Sequence, residues 1–407
     1  MADATVVKPD LDFVKGVIAA GGESLKKCYQ CATCTVVCNV TPDKNPFPRK
    51  EMVWAQWGLK EKFKGNPDVW LCHQCNDCSS YCPRGAKPGE VLGAIRKQTI
   101  KQYSAPGVLV DLVNNKKFWP LIVAVPAVLL AVLLSAAGTF GIPEGEVIFS
   151  KFASTHFIQF VFTPALIFGV AVGILGMKKF WADMKQANGV YSGDLKGSVT
   201  ETLKEVAGHQ KFKSCGVSAD RFTSHFLVFY SFIALGIATA LGVLYIDILG
   251  MESPFRLGYG TPVKLFGNIG AIALIAGILL MMNSRFKNAE KLGVGSYFDW
   301  LLIGIIGTVA LSGFLAQLMR IAGVAPLAYP IYFIHLVFVF SLFIYLPFSK
   351  LAHIFYRGAA MCFLKYSGRE AEQAVVQPEA KTEIPAASGP ETGESAGEAG
   401  QAETKQE

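Results

Sequence analysis

Six apolar segments of this chain are each close to the about 20 residues that a helix needs to cross a bilayer. Only 17% of the 407 residues are charged, against about 25% in soluble globular proteins, which argues against a cytosolic enzyme. Buried helices of a soluble core are the alternative, but six at full spanning length predict a transmembrane bundle. The segments are Phe118–Phe140, His156–Met177, His225–Leu249, Val263–Asn283, Trp300–Ala322 and Ile331–Phe348.

Lysine and arginine residues are concentrated in alternate loops between these segments. The loop between the second and third segments is rich in them, whereas the loop between the fifth and sixth contains none. By the positive-inside rule the basic loops are cytoplasmic, and an even number of spans returns the chain to its starting side. We therefore expect a multi-pass protein of the inner (cytoplasmic) membrane with both termini in the cytoplasm. No dense basic face is present, so nucleic-acid binding is a poor interpretation.

The composition predicts an all-α chain in three parts. Residues 1–117 are polar, hold eight of the ten cysteines and show no period-two strand pattern, so they predict a helical cytoplasmic domain. Asp10 can cap a short helix there, and further helices are expected around Lys50–Leu59 and Gly89–Gln102. Residues 118–360 form the six-span domain. Residues 361–407 are acidic and poor in large apolar side chains, so we expect a disordered cytoplasmic tail.

Two copies of one cysteine spacing lie in the N-terminal part. Three cysteines two residues apart can wrap one iron–sulfur cube, and in two-cluster ferredoxins the fourth binds the other cube. This spacing predicts two [4Fe-4S] clusters with crosswise ligands. A disulfide framework is a poor fit to a reducing cytoplasm, and structural zinc usually takes paired C-x-x-C motifs. The first cluster is assigned to Cys28, Cys31, Cys34 and Cys82, and the second to Cys72, Cys75, Cys78 and Cys38.

Four of the six histidines lie at the ends of predicted spans, where ligating residues are functional candidates. His335 and His353 are 18 residues apart, which is five turns of one helix and roughly 27 Å along its axis. The topology places His225 level with His353 and His156 level with His335. We therefore predict two bis-histidine haems, and the absence of a C-x-x-C-H motif indicates b-type haem. The alternative is that each histidine is an ordinary interfacial residue.

Three further side chains enter this hypothesis. His209 is the substitute ligand near the cytoplasmic surface. Arg320, at the outer end of the fifth span, is a candidate partner for a haem propionate, and snorkelling to lipid phosphate is its alternative. His73, inside the second cysteine motif, is expected to be a surface or cluster-tuning residue rather than a ligand. The sequence singles out no catalytic residue.

The N-terminal domain resembles the iron–sulfur C subunit of heterodisulfide reductase, and the six-span part resembles its haem b membrane subunit and the gamma subunit of nitrate reductase. A single chain that fuses both modules is similar to the membrane subunits of quinone-interacting membrane-bound oxidoreductase complexes of sulfate-reducing bacteria. The residues that carry the resemblance are the two cysteine motifs, the stretch His209–His225, Ser312 and Gly313 with Gln317 and Arg320, and Tyr332, His335 and Pro347–His353 with Arg357.

The resemblance implies a membrane electron-transfer subunit that oxidises menaquinol and reduces cytoplasmic subunits through haem b and the clusters. It implies as partners two flavin- and iron–sulfur-containing subunits like heterodisulfide reductase A, with adenylylsulfate reductase as the acceptor. Two alternatives remain open. One is a heterodisulfide reductase module that uses methanophenazine, and the other is a non-redox membrane anchor with structural zinc.

Overall fold

The computed structural model describes residues 8–42, 44–189, 193–209, 211–212, 221–251, 261–289 and 295–369. Within these ranges the chain is helical and has no β-strand, which confirms the all-α prediction. The N-terminal domain contains two 3₁₀ helices, Glu23–Lys27 and Lys60–Phe63. Its α-helices are Leu11–Ala19, Thr33–Val36, Arg49–Gln56, Asp68–Leu71, Asp77–Ser80, Pro88–Tyr103 and Val108–Asn114.

Six helices of the described chain are long and apolar enough to cross a membrane, in agreement with the six predicted segments. The third ends in a π-helical turn, Leu244–Ile248. Shorter α-helices lie at Phe149–Phe152, Leu195–Gly208 and His353–Tyr366, with 3₁₀ turns at Lys116–Phe118, Leu346–Phe348 and Lys350–Ala352. The six spans are Lys116–Ala136, Thr155–Asn188, Arg221–Ile248, Pro262–Lys287, Tyr297–Ile321 and Ala325–Ile344.

Local sequence rules account for the helix starts of the N-terminal domain. The Asp10 side chain accepts a hydrogen bond of 2.8 Å from the backbone N–H of Phe13, as predicted for this cap. The expected helices near residues 50 and 90 are present, and Pro88 occupies the first turn of the longer one, where its missing N–H costs no hydrogen bond. That helix is the centre of the domain, and its Val91, Leu92 and Ile95 are fully buried.

The sixth span ends earlier than predicted, at Ile344. Pro347 has no N–H to donate, and its ring would clash with the carbonyl group four residues earlier if the helix continued. The chain therefore passes through two 3₁₀ turns before a new helix begins at His353. The freed carbonyl oxygen of Phe343 lies against Gly169, where a Cβ atom would be only 2.4 Å away. The prediction that His335 and His353 share one face of one helix is therefore wrong.

The C-terminal helix, His353–Tyr366, extends the ordered chain beyond the predicted boundary at residue 360. Cys362, Phe363 and Leu364 are buried, and the helix packs against the N-terminal domain and the helix Leu195–Gly208. The prediction of disorder is therefore wrong for residues 361–366, because this segment buries its apolar side chains against residues far away in the sequence. The remainder of the predicted tail, from residue 370, lies outside the described residues.

The second span is longer than predicted and joins the two domains. It continues to Asn188, and Phe180 and Met184 are fully buried in the same core as the N-terminal domain. Small residues on one face allow close approach of the C-terminal helix. A Cβ atom at Gly173 would be 2.3 Å from the Phe355 ring, and one at Gly176 would be 2.4 Å from the Tyr356 hydroxyl. The N-terminal domain is thus held against one end of the bundle.

Replacement of Gly65 by alanine is expected to loosen this junction. Gly65 has φ +66°, and a Cβ atom there would be 2.3 Å from the carbonyl oxygen of Asp183, which cannot move without shifting the second span. Left-handed backbone strain and overpacking together predict a loss of about 2–4 kcal/mol in the free energy of unfolding. Chemical denaturation in detergent, followed by circular dichroism, measures it.

Gly85→Ala is the matched control for this variant. Gly85 has nearly the same positive φ, +64°, but no atom lies within 4 Å of the position of its Cβ. The control should therefore lose only the strain contribution, about 1–2 kcal/mol. Equal losses in the two variants would contradict a close contact between Gly65 and the second span.

Candidate functional site

The two cysteine motifs have the same backbone conformation. In the first, Gln30 and Ala32 have φ values of 59° and 69°, and in the second, Gln74 and Asn76 have 53° and 67°. A short helix follows each left-handed pair. The backbone N–H of Gln30 donates to Cys28 Sγ at 3.4 Å and that of Gln74 donates to Cys72 Sγ at 3.2 Å. Loops that turn successive N–H groups inward in this way form concave anion sites, including iron–sulfur sites.

The cysteines that raise one another's pKa are those of the two predicted crosswise ligand sets. Burial is the main cause that raises the pKa of Cys34 to about 11, and Cys28, Cys31 and Cys82 raise it further. Burial likewise raises the pKa of Cys38 to about 12, with contributions from Cys72 and Cys75. The fourth cysteine of each motif therefore lies near the first cysteines of the other motif.

None of the nine cysteines in the described ranges forms a disulfide. Nor do any three His, Cys, Asp or Glu side chains in these ranges close around a single metal ion. The four cysteines of a cube each bind a different iron atom, so they lie farther apart than the ligands of one ion. The paired loops and their inward N–H groups fit such clusters.

Four cations hold the second cysteine loop: Arg96 comes from the N-terminal domain itself, and the other three come from the membrane domain and the C-terminal helix. Arg96 donates to the Cys72 carbonyl oxygen, and Arg357 of the C-terminal helix donates to the same oxygen at 3.0 Å. Arg221, at the start of the third span, donates to the Gln74 carbonyl oxygen. Lys350 donates to the Gln74 side chain at 3.3 Å. A cluster with four thiolate ligands carries negative charge, and these cations would stabilise it.

His73, beside Cys72, connects this loop to the third span through stacked rings. Its ring meets Phe212 edge-on, with centroids 4.9 Å apart, and Phe212 stacks on His225 at the same separation. The Arg357 guanidinium donates to His73 Nε2 at 2.8 Å. Burial first, and then the charge of Arg357, lower the pKa of His73 to about 2, so the ring is neutral at pH 7.

Three of the four predicted haem ligands have Nδ1 occupied by a hydrogen bond that leaves Nε2 available. Nδ1 of His353 donates to the Lys350 carbonyl oxygen at 2.8 Å, and Nδ1 of His335 donates to that of Val309 at 3.0 Å. Nδ1 of His225 pairs with Nε2 of His209 at 3.0 Å. Metal-binding histidines typically have this arrangement, because the second hydrogen bond fixes the tautomer and the ring orientation.

His209 orients His225 through two hydrogen bonds in series. Its Nδ1 lies 3.2 Å from the Ala207 carbonyl oxygen, which only accepts, so His209 donates from Nδ1 and accepts from His225 at Nε2. His353 lies in the neighbourhood of His225. Burial lowers the pKa of His353 to about 4, assisted by the charges of Lys350 and Arg357, so it is neutral at pH 7. A neutral imidazole is the form that binds metal.

His335 lies against the fifth span. Gly313 has no side chain and so leaves space for the His335 ring, because a Cβ atom at this position would be too close, at 2.8 Å. The Ser312 hydroxyl lies 3.3 Å from His335 Nδ1. Ser312 also lines an apolar cavity of about 380 Å³ between the fourth, fifth and sixth spans. Thr308 is its other hydroxyl-bearing residue, and Ile331 and Ile334 of the sixth span also line it.

The other two predicted outer-side residues have looser surroundings. His156 is exposed in the first turn of the second span, and Gln159, one turn further on, donates to Asp247 of the third span at 2.6 Å. Arg320 is half-buried at the end of the fifth span, near Lys264. Other parts of the protein cover little of the third span. Only 6% of its most apolar stretch is buried, against 39% for the sixth span.

The sequence analysis missed the contacts that join the two domains. Arg357, and the stretch that contains Phe212, were noted only as part of a resemblance. The Asp299 carboxylate is paired with Lys350 and lies 3.9 Å from Arg285, and these residues come from three separate segments. The proline of Pro347-Phe348 was the one local signal of the broken helix. Cys215 lies outside the described residues.

Together, the paired cysteine loops and the six apolar helices define a multi-pass membrane protein with an iron–sulfur domain. A family model for a 4Fe-4S dicluster domain matches residues 24–86, and a model for citrate utilization protein B matches residues 120–375. The second model covers more than half of the chain, and the chain belongs to this citrate utilization protein B family.

Individual relatives agree with both parts. Citrate utilization protein B of Escherichia coli is 26% identical over 75% of this chain and 83% of its own length. The C subunit of the H(2):CoB-CoM heterodisulfide,ferredoxin reductase of Methanothermobacter marburgensis is 34% identical over 23% of this chain. The E subunit of the dihydromethanophenazine:CoB–CoM heterodisulfide reductase of Methanosarcina thermophila is 31% identical over 33% of it.

The chain spans about half the length of these two heterodisulfide reductase subunits, 50% and 54%. No solved structure matches the chain.

Proposed function

We propose that this chain is the membrane electron-transfer subunit of a complex that oxidises menaquinol and reduces cytoplasmic partner subunits. Bound haem b would carry single electrons across the membrane, and two [4Fe-4S] clusters would carry them on through the N-terminal domain. The observation that carries the proposal is the run of ring contacts from His225 through Phe212 to His73, next to Cys72. Through the Phe212 ring it connects a span histidine to a cluster motif.

The cluster ligands in this proposal are the crosswise sets of the sequence analysis. The second loop faces the membrane domain, whereas the first is open to solvent. Cys31 is exposed, Tyr29 of the first motif is 67% exposed, and Tyr81, next to the crosswise ligand Cys82, is 61% exposed. Electrons would therefore leave from the first cluster. The acceptors would be two flavin- and iron–sulfur-containing subunits like heterodisulfide reductase A, and ultimately adenylylsulfate reductase.

The haem ligands in this proposal are His225 with His353 and His156 with His335. The Nδ1 hydrogen bonds of His225, His353 and His335 support three of these assignments, and Arg320 would pair with a propionate at the outer end. The N-terminal domain lies at the His353 end of the bundle, with the basic loop after the second span. By the positive-inside rule this end would be cytoplasmic.

The quinol headgroup would bind in the apolar cavity beside His335. Its volume of about 380 Å³ is within the about 300–1,000 Å³ of small-molecule sites, and apolar walls with a few hydroxyl groups suit a lipid-soluble ring. Ser312 lines this cavity and lies within hydrogen-bond distance of His335. The residue is therefore positioned to bind a quinol hydroxyl next to a candidate haem ligand.

A cofactor count on the purified full chain, with an optical spectrum before and after an anaerobic menaquinol analogue, tests the proposal. We expect about eight non-haem irons, four for each of two clusters, and about two haems b per chain, with haem bands reduced by the quinol. A count of one haem would remove the His156–His335 pair. A protein without haem would overturn the mechanism.

The same sample distinguishes the two alternatives. Reduction by a dihydrophenazine analogue but not by the quinol would favour a methanophenazine-linked heterodisulfide reductase module. Zinc in place of iron and acid-labile sulfide, in a colourless protein, would favour a structural membrane anchor.

A further inference from the structure

His73 is the buried histidine whose hydrogen bonding is incomplete. The residue is only 8% exposed, and its Nδ1 has no hydrogen-bond partner within the described chain. Its Nε2 accepts from Arg357, because a guanidinium only donates. The proton of the neutral ring is therefore on Nδ1. An unpaired N–H in such a place destabilises the fold, so a buried acceptor is expected to meet it.

The position of His73 indicates which acceptor this is. The residue directly follows Cys72, and Arg357, which holds its ring, also donates to the Cys72 carbonyl oxygen. The ring is also packed against the side chain of Phe212, which offers no acceptor atom. The free N–H is thus fixed in the loop that would surround the second cluster. Sulfur atoms of such a cluster accept hydrogen bonds, which raise its reduction potential.

We propose that His73 is a positioning residue that donates its Nδ1–H to the second cluster and raises the potential of that cluster above that of the first. This inference rests on the proposed function. The cluster next to the His225 site would then be the easier of the two to reduce, so that an electron from that site reduces it first. Arg357 acts through His73, because its hydrogen bond fixes the tautomer.

The internal repeat supplies a matched control for this proposal. Tyr29 follows Cys28 in the first motif as His73 follows Cys72 in the second, and the next residue in each motif is a glutamine with positive φ. Tyr29 differs in being 67% exposed and stacked under Arg84, at 4.0 Å. Tyr29→Phe and His73→Phe therefore leave a similar ring at equivalent positions of the two loops.

Redox titration followed by electron paramagnetic resonance, on the full chain in detergent, tests the proposal with both clusters in one sample. In His73→Phe the reduction equilibrium constant of the second cluster should fall about tenfold, about 59 mV for one electron, and that of the first should not change. His73→Asn, whose amide can still donate, should stay within about threefold of the native value. Tyr29→Phe should shift neither cluster.

Several outcomes separate this proposal from the proposed function. Iron-loaded His73→Phe with an unshifted second cluster, or with equal shifts of both clusters, would overturn the role of His73 alone. A native protein without cluster signals would overturn the proposed function instead. If His73→Phe and His73→Leu both lose the second cluster while His73→Asn keeps it, the donor is needed and the proposal holds. Loss in all three would overturn it.

Discussion

Replacement of His353 by alanine is expected to halve the haem content of the purified protein. The His353 ring is held by its Nδ1 hydrogen bond to Lys350, and its Nε2 is the atom left to bind iron. Its predicted partner, His225, would remain, but a single imidazole cannot supply both axial ligands of a bis-histidine haem. We expect about one haem per chain instead of about two, and slow, incomplete reduction of the clusters by the quinol analogue.

Ile354→Ala is the control for the His353 variant. Ile354 is the next residue in the same helix turn and is 57% exposed, so its loss tests the helix without touching a ligand. The control should retain about two haems by the pyridine haemochrome assay. Full haem content in His353→Ala would contradict the assignment of this residue. Loss of both haems would indicate that the helix start, rather than the imidazole, had been damaged.

Replacement of Asp299 by asparagine is expected to destabilise the junction of the two domains. Asp299 is 3% exposed and is the carboxylate shared by Lys350 and Arg285. Without its charge, two cations remain close together at the end of the bundle, with no carboxylate between them. Removal of one member of a fully buried pair costs about 3–5 kcal/mol. Because Lys350 remains about a quarter exposed, we expect about 2–3 kcal/mol here, measured by chemical denaturation in detergent.

Asp194→Asn is the matched control for this charge. Asp299 accepts from the backbone N–H of Ser296 at the start of the fifth span. Asp194 likewise caps a helix, accepting from the backbone N–H groups of Lys196 and Gly197, but it is exposed and pairs with no buried cation in the described chain. Asparagine caps helices nearly as well as aspartate, so the control should lose at most about 0.5 kcal/mol. The double variant Asp299→Asn with Lys350→Met should recover part of the loss. Equal losses in Asp299→Asn and Asp194→Asn would contradict a buried charge cluster.

Local patterns were sufficient for most secondary structure and failed where a distant contact decides it. The six spans and the Asp10 cap were predictable because apolar length and a capping side chain act within a few residues. The break before His353 was missed because the histidine spacing was extrapolated across Pro347. The order of residues 361–366 was missed because their burial depends on the N-terminal domain, some 290 residues away in the chain.

The sequence by itself determined the inventory of this protein: the spanning helices, the two repeated cysteine motifs and the candidate histidines. Only the tertiary structure decided their relations. It turned the second cysteine loop towards the membrane domain, set Phe212 between His73 and His225, and paired His225 with His209. The physical reason is that the spacing of residues along a chain controls local conformation. The direction in which a loop faces, and the residue that a side chain contacts, depend instead on segments that only packing brings together.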